Sequence, residues 1–225
     1  MNCAPLNGLD VPDAHAHGVP GENDGPFRLW NVGDPSRSVP APFFFSAGIH
    51  PWDAGKYELA AFAPLFDSPR CLAIGECGLD RTSDAALPVQ MKVFEAQIGE
   101  SVRRGKPLMI HCVRCFPELL HLRSLLPADA PVWVVHGFRG TERKAFDLLN
   151  AGCVLSFGAG LLRDAGNMGY FAKIPLDRIL IETDESPELF GSILAEAAAM
   201  HLLPPSGFAA AVRSNFERIF RHVPV

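Results

Sequence analysis

At 225 residues with 48% hydrophobic content, the chain can bury one substantial core, and we read residues 1–225 as a single domain. No apolar run approaches the roughly 20 residues that span a bilayer, and MNCAPLNGLD carries neither a basic leader nor an apolar signal core, so a cytoplasmic protein without a membrane partner is expected. The formal net charge of -5 argues against a protein that coats duplex nucleic acid through bulk electrostatics.

In chain order, a strand is predicted near residues 9–13, awkwardly containing Pro12, and two more in PFRLWNVG (26–33) and PFFFSAGI (42–49), with gaps too turn-rich for helices. KYELAAFAPLF (56–66) reads as a helix leading to a strand at 71–76. From there helices and strands alternate. Met91, Phe94, Ile98 and Val102 recur at helical spacing before a left-handed stop at Gly105, and the strand at 107–111 follows. A helix over 115–126, a strand at 132–136, a helix over 141–152 with a Thr141 cap and the strand GCVLSFG come next. A weaker helix near 161–174 leads to the last strand, and two helices (190–203 and 207–222) finish the chain, the second carrying a Phe208, Val212, Phe216 and Ile219 stripe suited to docking. Eight strands alternating with helices predict an α/β fold, a (β/α)8 TIM-type barrel shortened by missing early helices.

Four apolar runs stop on a side chain of metal-binding type: CLAIGE at Glu76, PLMIH at His111, VWVVH at His136 and RILIETD at Asp184. DAHAH adds His15 and His17, two residues apart on one strand and so pointing the same way. In a parallel barrel all strands end at one face, so these six groups would converge. Four imidazoles and two carboxylates facing one another are costly to desolvate without a cation, which points to divalent metal, a pair of ions, as the occupant. Arg81, Arg114 and Arg139 follow predicted strand ends, where they would hold phosphate or stand as solvated loop arginines. The six cysteines are expected as free thiols in a reducing compartment, and Cys112 and Cys115 form a C-x-x-C without a second pair for a zinc ribbon. His121, His201 and His222 read as surface residues and GAGLLRDAG (158–166) as a loop.

DAHAH, GIHPWD, AIGECGLD, PLMIHCVR, VVHGFRG and ILIETD, in that order from residue 13 to 184, closely resemble the TatD family of metal-dependent hydrolases, and SNFERIF resembles its closing helix. The resemblance implies a barrel of the amidohydrolase superfamily with two divalent ions (Mg, Mn or Zn) that cleaves phosphodiester bonds. It implies His15, His17 and Asp184 on one ion, His111 and His136 on the other, and Glu76 between them, with Asp184 also taking the nucleophile's proton. The expected activity is a 3′-to-5′ deoxyribonuclease using a hydroxide activated by two metals, with a DNA or nucleotide phosphodiester, single-stranded, as substrate. His50 matches a position lining the substrate cleft and would contact phosphate, unless it is a cap held by Pro51 and Trp52. HGFRG departs from the family's HCFSG at Gly137 and Arg139, ETDESP carries one extra residue so that Glu182 or Glu185 would either compete with Asp184 for the ion or merely face solvent, and no basic segment follows Asp184. These departures keep open two alternatives, hydrolysis of a small ester, lactone or amide, and an inactive metal-holding barrel serving as a binding module. The residues do not identify protein partners.

Overall fold

The computed structural model describes residues 11–20, 28–163, 169–186 and 189–220. Its centre is one eight-stranded parallel sheet in sequential order: β1 (Asp13–Ala16), β2 (Arg28–Val32), β3 (Phe44–Ala47), β4 (Cys71–Asp80), β5 (Leu108–Val113), β6 (Trp133–Val135), β7 (Val154–Phe157) and β8 (Ile179–Ile181). The ends meet: Ala16 bridges Asp184 in parallel, with Asp184 N–H donating to the His15 carbonyl at 2.9 Å. The predicted barrel is therefore the observed fold, and its closing seam lies between the DAHAH strand and the residues that follow β8.

Between strands lie α1 (Ala63–Phe66), α2 (Leu87–Arg104), α3 (Phe116–Ser124), α4 (Glu142–Asn150) and α5 (Gly160–Arg163); α6 (Phe190–Met200) and α7 (Pro205–Phe220) complete the chain. Among the described residues no helix separates β1, β2 and β3, as expected of a shortened barrel. The helix expected over 56–66 is instead a single-turn 3-10 segment, Leu59–Phe62, running into the one-turn α1. Pro64 sits in the first turn of α1, where a ring lacking an N–H starts a helix and cannot continue one from upstream. The helix near 161–174 is reduced to α5 and a 3-10 turn at Phe171–Lys173, with 164–168 outside the described residues. GAGLLRDAG thus contains α5 where a loop was expected.

Strand boundaries shift in an instructive way. β1 starts after Pro12, which has no N–H for the ladder, so the strand is the ligand motif itself. β4 runs on past Glu76 to Asp80, buried throughout. Two glycines permit this: a Cβ on Gly75 would lie 2.3 Å from the Met109 carbonyl oxygen, and one on Gly78 would lie 2.1 Å from that of His111. β4 therefore presses its backbone against β5 where any side chain would collide.

The period-2 alternation of strands divides the interior into levels. Leu29, Met109, Val134 and Leu180 form a buried apolar cluster, into which α7 sends Phe216, Ile219 and Phe220. Two residues further along the same faces come Asn31, His111, His136 and Glu182, the polar lining of the mouth.

α2 shows how helices serve this mouth. Its buried face is Gln90, Phe94, Gln97, Ile98 and Ser101, while Val102 of the predicted stripe is 46% exposed. Gln90 and Gln97, seven residues apart and so on one face, are buried because each bonds a strand-end backbone in both directions. Gln90 pairs with the N–H (2.8 Å) and carbonyl (3.0 Å) of Asp80, and Gln97 pairs with those of Ile49 at 2.8 and 3.0 Å. Gly105 in the left-handed region ends α2 and the Thr141 hydroxyl accepts from Lys144 N–H to start α4, both as expected.

Candidate metal centre

Glu76 is the hub. Its Oε2 lies 3.3 Å from His15 Nε2 and 3.2 Å from His17 Nε2, and its Oε1 lies 2.7 Å from His136 Nε2, 3.1 Å from His111 Nδ1 and 3.3 Å from His50 Nε2. Asp184 Oδ1 joins the first side, 3.4 Å from His17 Nε2 and 3.8 Å from His15 Nε2. The six ligand-type groups expected from the sequence thus meet at one place, carried by β1, β4 and β5 and by the residues that follow β1, β6 and β8. Three overlapping triads, His15–His17–Glu76, His15–His136–Asp184 and His50–Glu76–His111, each bring donor atoms within 4.8 Å of one another.

The chemistry of this donor set fits a divalent cation. His15 Nε2 and His17 Nε2 face each other at 3.1 Å beside two carboxylates, and a single proton between two lone pairs leaves the second pair and the carboxylate oxygens competing for positive charge. A nitrogen and oxygen set without sulfur suits Zn, Mn, Fe, Co or Ni, whereas Mg prefers more oxygen. His111, His136 and Glu76 form the opposite half of the cage.

A second layer of polar groups fixes these side chains. The Asn31 amide holds Glu76 from both sides, accepting its backbone N–H at 3.0 Å and donating to Oε2 at 3.3 Å. His111 presents Nδ1 to Glu76 while its Nε2 lies 3.0 Å from Asp80 Oδ2, so the carboxylate keeps the proton on Nε2 and leaves the Nδ1 lone pair facing the cage. Asp80 itself is buried and saturated: Oδ1 accepts Thr82 N–H (2.7 Å) and hydroxyl (2.6 Å), and Oδ2 accepts the Trp52 indole N–H at 2.7 Å. On the other side His136 Nδ1 lies 3.5 Å from Oε1 of Glu182, which accepts Gly137 N–H at 2.6 Å. Asp13 ties β1 to the Asp184 segment by accepting Thr183 N–H (3.0 Å) and hydroxyl (2.7 Å), and it also pairs with Arg28 at 3.1 Å.

Electrostatics follow this layout. Burial alone would raise Glu76, but the His136 charge and the imidazoles of His111, His136 and His15 set against it hold its carboxyl well below the usual carboxylate range. Burial opposes an imidazolium at His136, yet the negative charge of Glu76 and the Glu182 carboxylate push it well above an ordinary histidine. Asp80, despite burial, is drawn down to about 2 by Thr82, Trp52 and His111. Asp13 goes the other way, raised by burial to about 6 against the pull of Thr183 and Arg28.

Glu182, one of the two carboxylates expected to compete with Asp184, is fully buried behind His136. Glu185, the other, has a side chain 78% exposed and reaches only the outer nitrogen of His17, at 3.8 Å. Asp184 adopts a left-handed φ of 55°, which aspartate tolerates better than most residues, and keeps its side chain 41% exposed to the mouth. His50 takes the expected role of a cap and also faces the cage. Nδ1 accepts Trp52 N–H at 3.1 Å as a cap, which places the proton on Nε2, the atom aimed at the cage.

The mouth opens into a cavity of about 860 Å³ whose walls include Arg139. Arg81 and Arg114 are not brought there, because β4 and β5 run on to Asp80 and Val113 and carry them past the rim. Arg81 is paired with Glu118 and donates to the Arg114 carbonyl at 2.9 Å. Arg37, Lys56 and Arg163 line the cavity instead, and none of them has a predicted strand end beside it to signal this in the sequence. Cys112 also borders it, but burial pushes its thiol up to about 12, which removes thiolate chemistry at neutral pH. Cys71, Cys77, Cys112, Cys115 and Cys153 are free, and Cys3 lies outside the described residues. Of the expected surface histidines, His121 is exposed, His201 is half-buried with its ring 4.9 Å from that of Phe171, and His222 lies outside the described residues. Among the described residues no helix is long and apolar enough to cross a membrane.

Comparison with known proteins places this geometry. The chain is 32% identical over 156 residues to the 3′-5′ ssDNA/RNA exonuclease TatD of Edwardsiella piscicida, covering 66% of this chain and 60% of that protein. It is 27% identical over 210 residues to the protein of that name in Musicola paradisiaca, covering 83% and 80%. The matched region therefore spans about 60% of the length of the Edwardsiella relative. The crystal structure of YJJV, a TatD homologue from Escherichia coli K12, superposes with a TM-score of 0.80 at 21% identity over 96% of this chain and 99% of that one. A TatD family hydrolase from Entamoeba histolytica gives 0.69 at 19% identity over 79% and 74%. At these identities the two structures establish the barrel fold. The model of the family described as TatD related DNase matches residues 31–221, and the chain belongs to that family.

Proposed function

We propose that this protein is a phosphodiesterase dependent on two divalent metal ions, a 3′-to-5′ exonuclease that removes nucleotides from single-stranded DNA or RNA in the cytosol. The observation that carries the reading is the convergence of His15, His17, His111 and His136 on the two oxygens of one buried glutamate, with Asp184 against the first two of these histidines. The curated relatives named as single-stranded DNA and RNA exonucleases support it, and the free cysteines fit a reducing compartment.

In this reading His15, His17 and Asp184 would hold one ion and His111 and His136 the other, with Glu76 between them. The ions, when bound, neutralise charge on the phosphoryl oxygens and make a water acidic enough to attack phosphorus. The rest of the chemistry belongs to the chain. Asp184, the most solvent-accessible of the six groups, accepts the proton of the attacking water. His50 offers a fixed Nε2–H to a phosphate oxygen, since its other nitrogen is already an acceptor. Arg139, whose Nε would lie 2.8 Å from a Cβ on Gly160, reaches across that glycine into the cavity and provides a planar guanidinium for the next phosphate.

Purified protein supplied with Mn, Mg or Zn should release mononucleotides from a 3′-labelled single-stranded oligonucleotide, and His111→Ala and Glu76→Ala should abolish the release. Equal release by wild type and both variants, or hydrolysis confined to small esters, lactones or amides, would defeat the proposal.

A further inference from the structure

Three tryptophans occupy very different surroundings: Trp30 and Trp133 are 3% and 1% exposed, whereas Trp52 is 65% exposed and lines the cavity. A large apolar ring is not ordinarily left facing water beside a catalytic cluster, and Trp52 is not loose. Its backbone N–H is held by His50 Nδ1 at 3.1 Å and its indole N–H by Asp80 Oδ2 at 2.7 Å, so the ring is fixed at both ends with much of its surface open. It stands edge-on to His50 with centroids 5.1 Å apart, and 6.4 Å from the ring of His111. The same side of the mouth carries Tyr57, with Lys56 Nζ 4.7 Å above its ring, and Arg37. A rigid exposed aromatic face flanked by cations is the combination that receives a nucleobase and its trailing phosphates, stacking being tolerant of base identity because every base has a π-face.

We propose that Trp52 is the stacking platform for the base of the nucleotide at the scissile phosphate, making it a substrate-positioning residue that selects unpaired, base-bearing strands. The inference rests on the phosphodiesterase reading, which supplies the phosphate held by the neighbouring cage. A terminal base still paired to its complement brings the partner strand with it to the indole, whereas an unpaired base can be laid on the ring alone, so the arrangement favours single strands without any contact to base edges.

The test compares wild type, Trp52→Ala and Trp52→Phe on two oligonucleotides that differ only in whether the 3′-terminal nucleotide carries a base or is abasic. Trp52→Ala should lower kcat/KM on the base-bearing strand at least about tenfold more than on the abasic one, chiefly through KM. Trp52→Phe, which keeps a ring but loses the N–H to Asp80, should retain the preference for the base. Because Trp52 is the one exposed tryptophan, titrating wild type with the base-bearing strand in the presence of chelator should quench its fluorescence, and the abasic strand should not. Equal losses on both strands together with no base-dependent quenching would overturn the platform while leaving the phosphodiesterase reading intact. Failure of wild type to hydrolyse any oligonucleotide would overturn that reading, and the quenching would then decide the platform by itself: base-dependent quenching supports it, and its absence refutes it.

Discussion

Asp80→Asn is the most revealing single change in this site, because it preserves shape and alters only charge and hydrogen-bond direction. Asp80 accepts four donors, two from Thr82 on Oδ1 and two, from Trp52 and His111, on Oδ2. An asparagine has one accepting oxygen, so its amide NH2 must face one of these pairs of donors. If the amide turns toward Thr82, a buried donor opposes donors at a cost of about 1–3 kcal/mol. If it turns toward Trp52 and His111, the indole N–H is left facing a donor, while the imidazole relieves its own clash by moving its proton to Nδ1, the nitrogen facing Glu76, and the lone pair that would bind metal is lost. Because both routes also remove the negative charge behind His111, either weakens the cage, by the 10- to 100-fold in metal affinity that outer-sphere carboxylates typically contribute, about 1.4–2.7 kcal/mol. Competition against a chromophoric chelator at pH 7.5 measures this directly, with urea unfolding of the metal-free protein as a control for folding. Wild-type metal affinity in a folded Asp80→Asn variant would refute the argument that this carboxylate sets the His111 tautomer.

Glu76→Gln removes the charge at the hub while keeping its size, and hydrolysis of single-stranded oligonucleotide should fall about a thousandfold or more, the scale of several kcal/mol of metal-assisted catalysis; a loss under tenfold in a steady-state assay would contradict it. Gly75→Ala places a methyl 2.3 Å from the Met109 carbonyl oxygen at a φ of 140°, so urea denaturation should show destabilisation of about 3 kcal/mol or more, and a change within experimental error would mean that β4 can retreat from β5. Asp13 is raised from 3.8 to about 6, so the folded metal-free protein holds this proton more tightly than the unfolded chain does. Its contribution to stability is complete below pH 3.8 and lost as pH rises through about 6, a fall of about 3 kcal/mol that urea unfolding in chelator should show for wild type and not for Asp13→Asn. An identical pH dependence in the two proteins would remove burial of Asp13 as the cause.

Much of this architecture was legible because parallel barrels write their signal plainly. Buried strands are short apolar runs, and a polar residue closing such a run marks the mouth, which is how Glu76, His111, His136 and Asp184 were found. The same rule misplaced the end of β4. Ending that strand at Glu76 hid Asp80, although residues 76, 78 and 80 share a face by period-2 alternation and Asp80 therefore belongs to the same interior. Glu182 was visible only as a rival ligand, since its relation to Asp184 depends on β8 stopping at Ile181 and the chain turning through a left-handed Asp184. Gln90 and Gln97 were obscured because a buried glutamine on a helix reads as solvent-facing until its long-range backbone partners are known. Arg81 and Arg114 illustrate the converse: proximity to a strand end places a residue at the rim, but four further residues of strand in β4 and two in β5 decide which way it faces. The segment over 56–66 had helical composition, and Pro64 was the local feature that divided it.

The metal content of the protein bears most directly on the claim that these side chains form a single two-ion cage. After saturation with Mn or Zn and removal of excess metal, elemental analysis should give two ions per chain for wild type, about one for His136→Ala, and less than one for Glu76→Ala, which removes the shared carboxylate. A wild-type chain that retains no stoichiometric metal, or an unchanged two ions per chain in Glu76→Ala, would contradict the account.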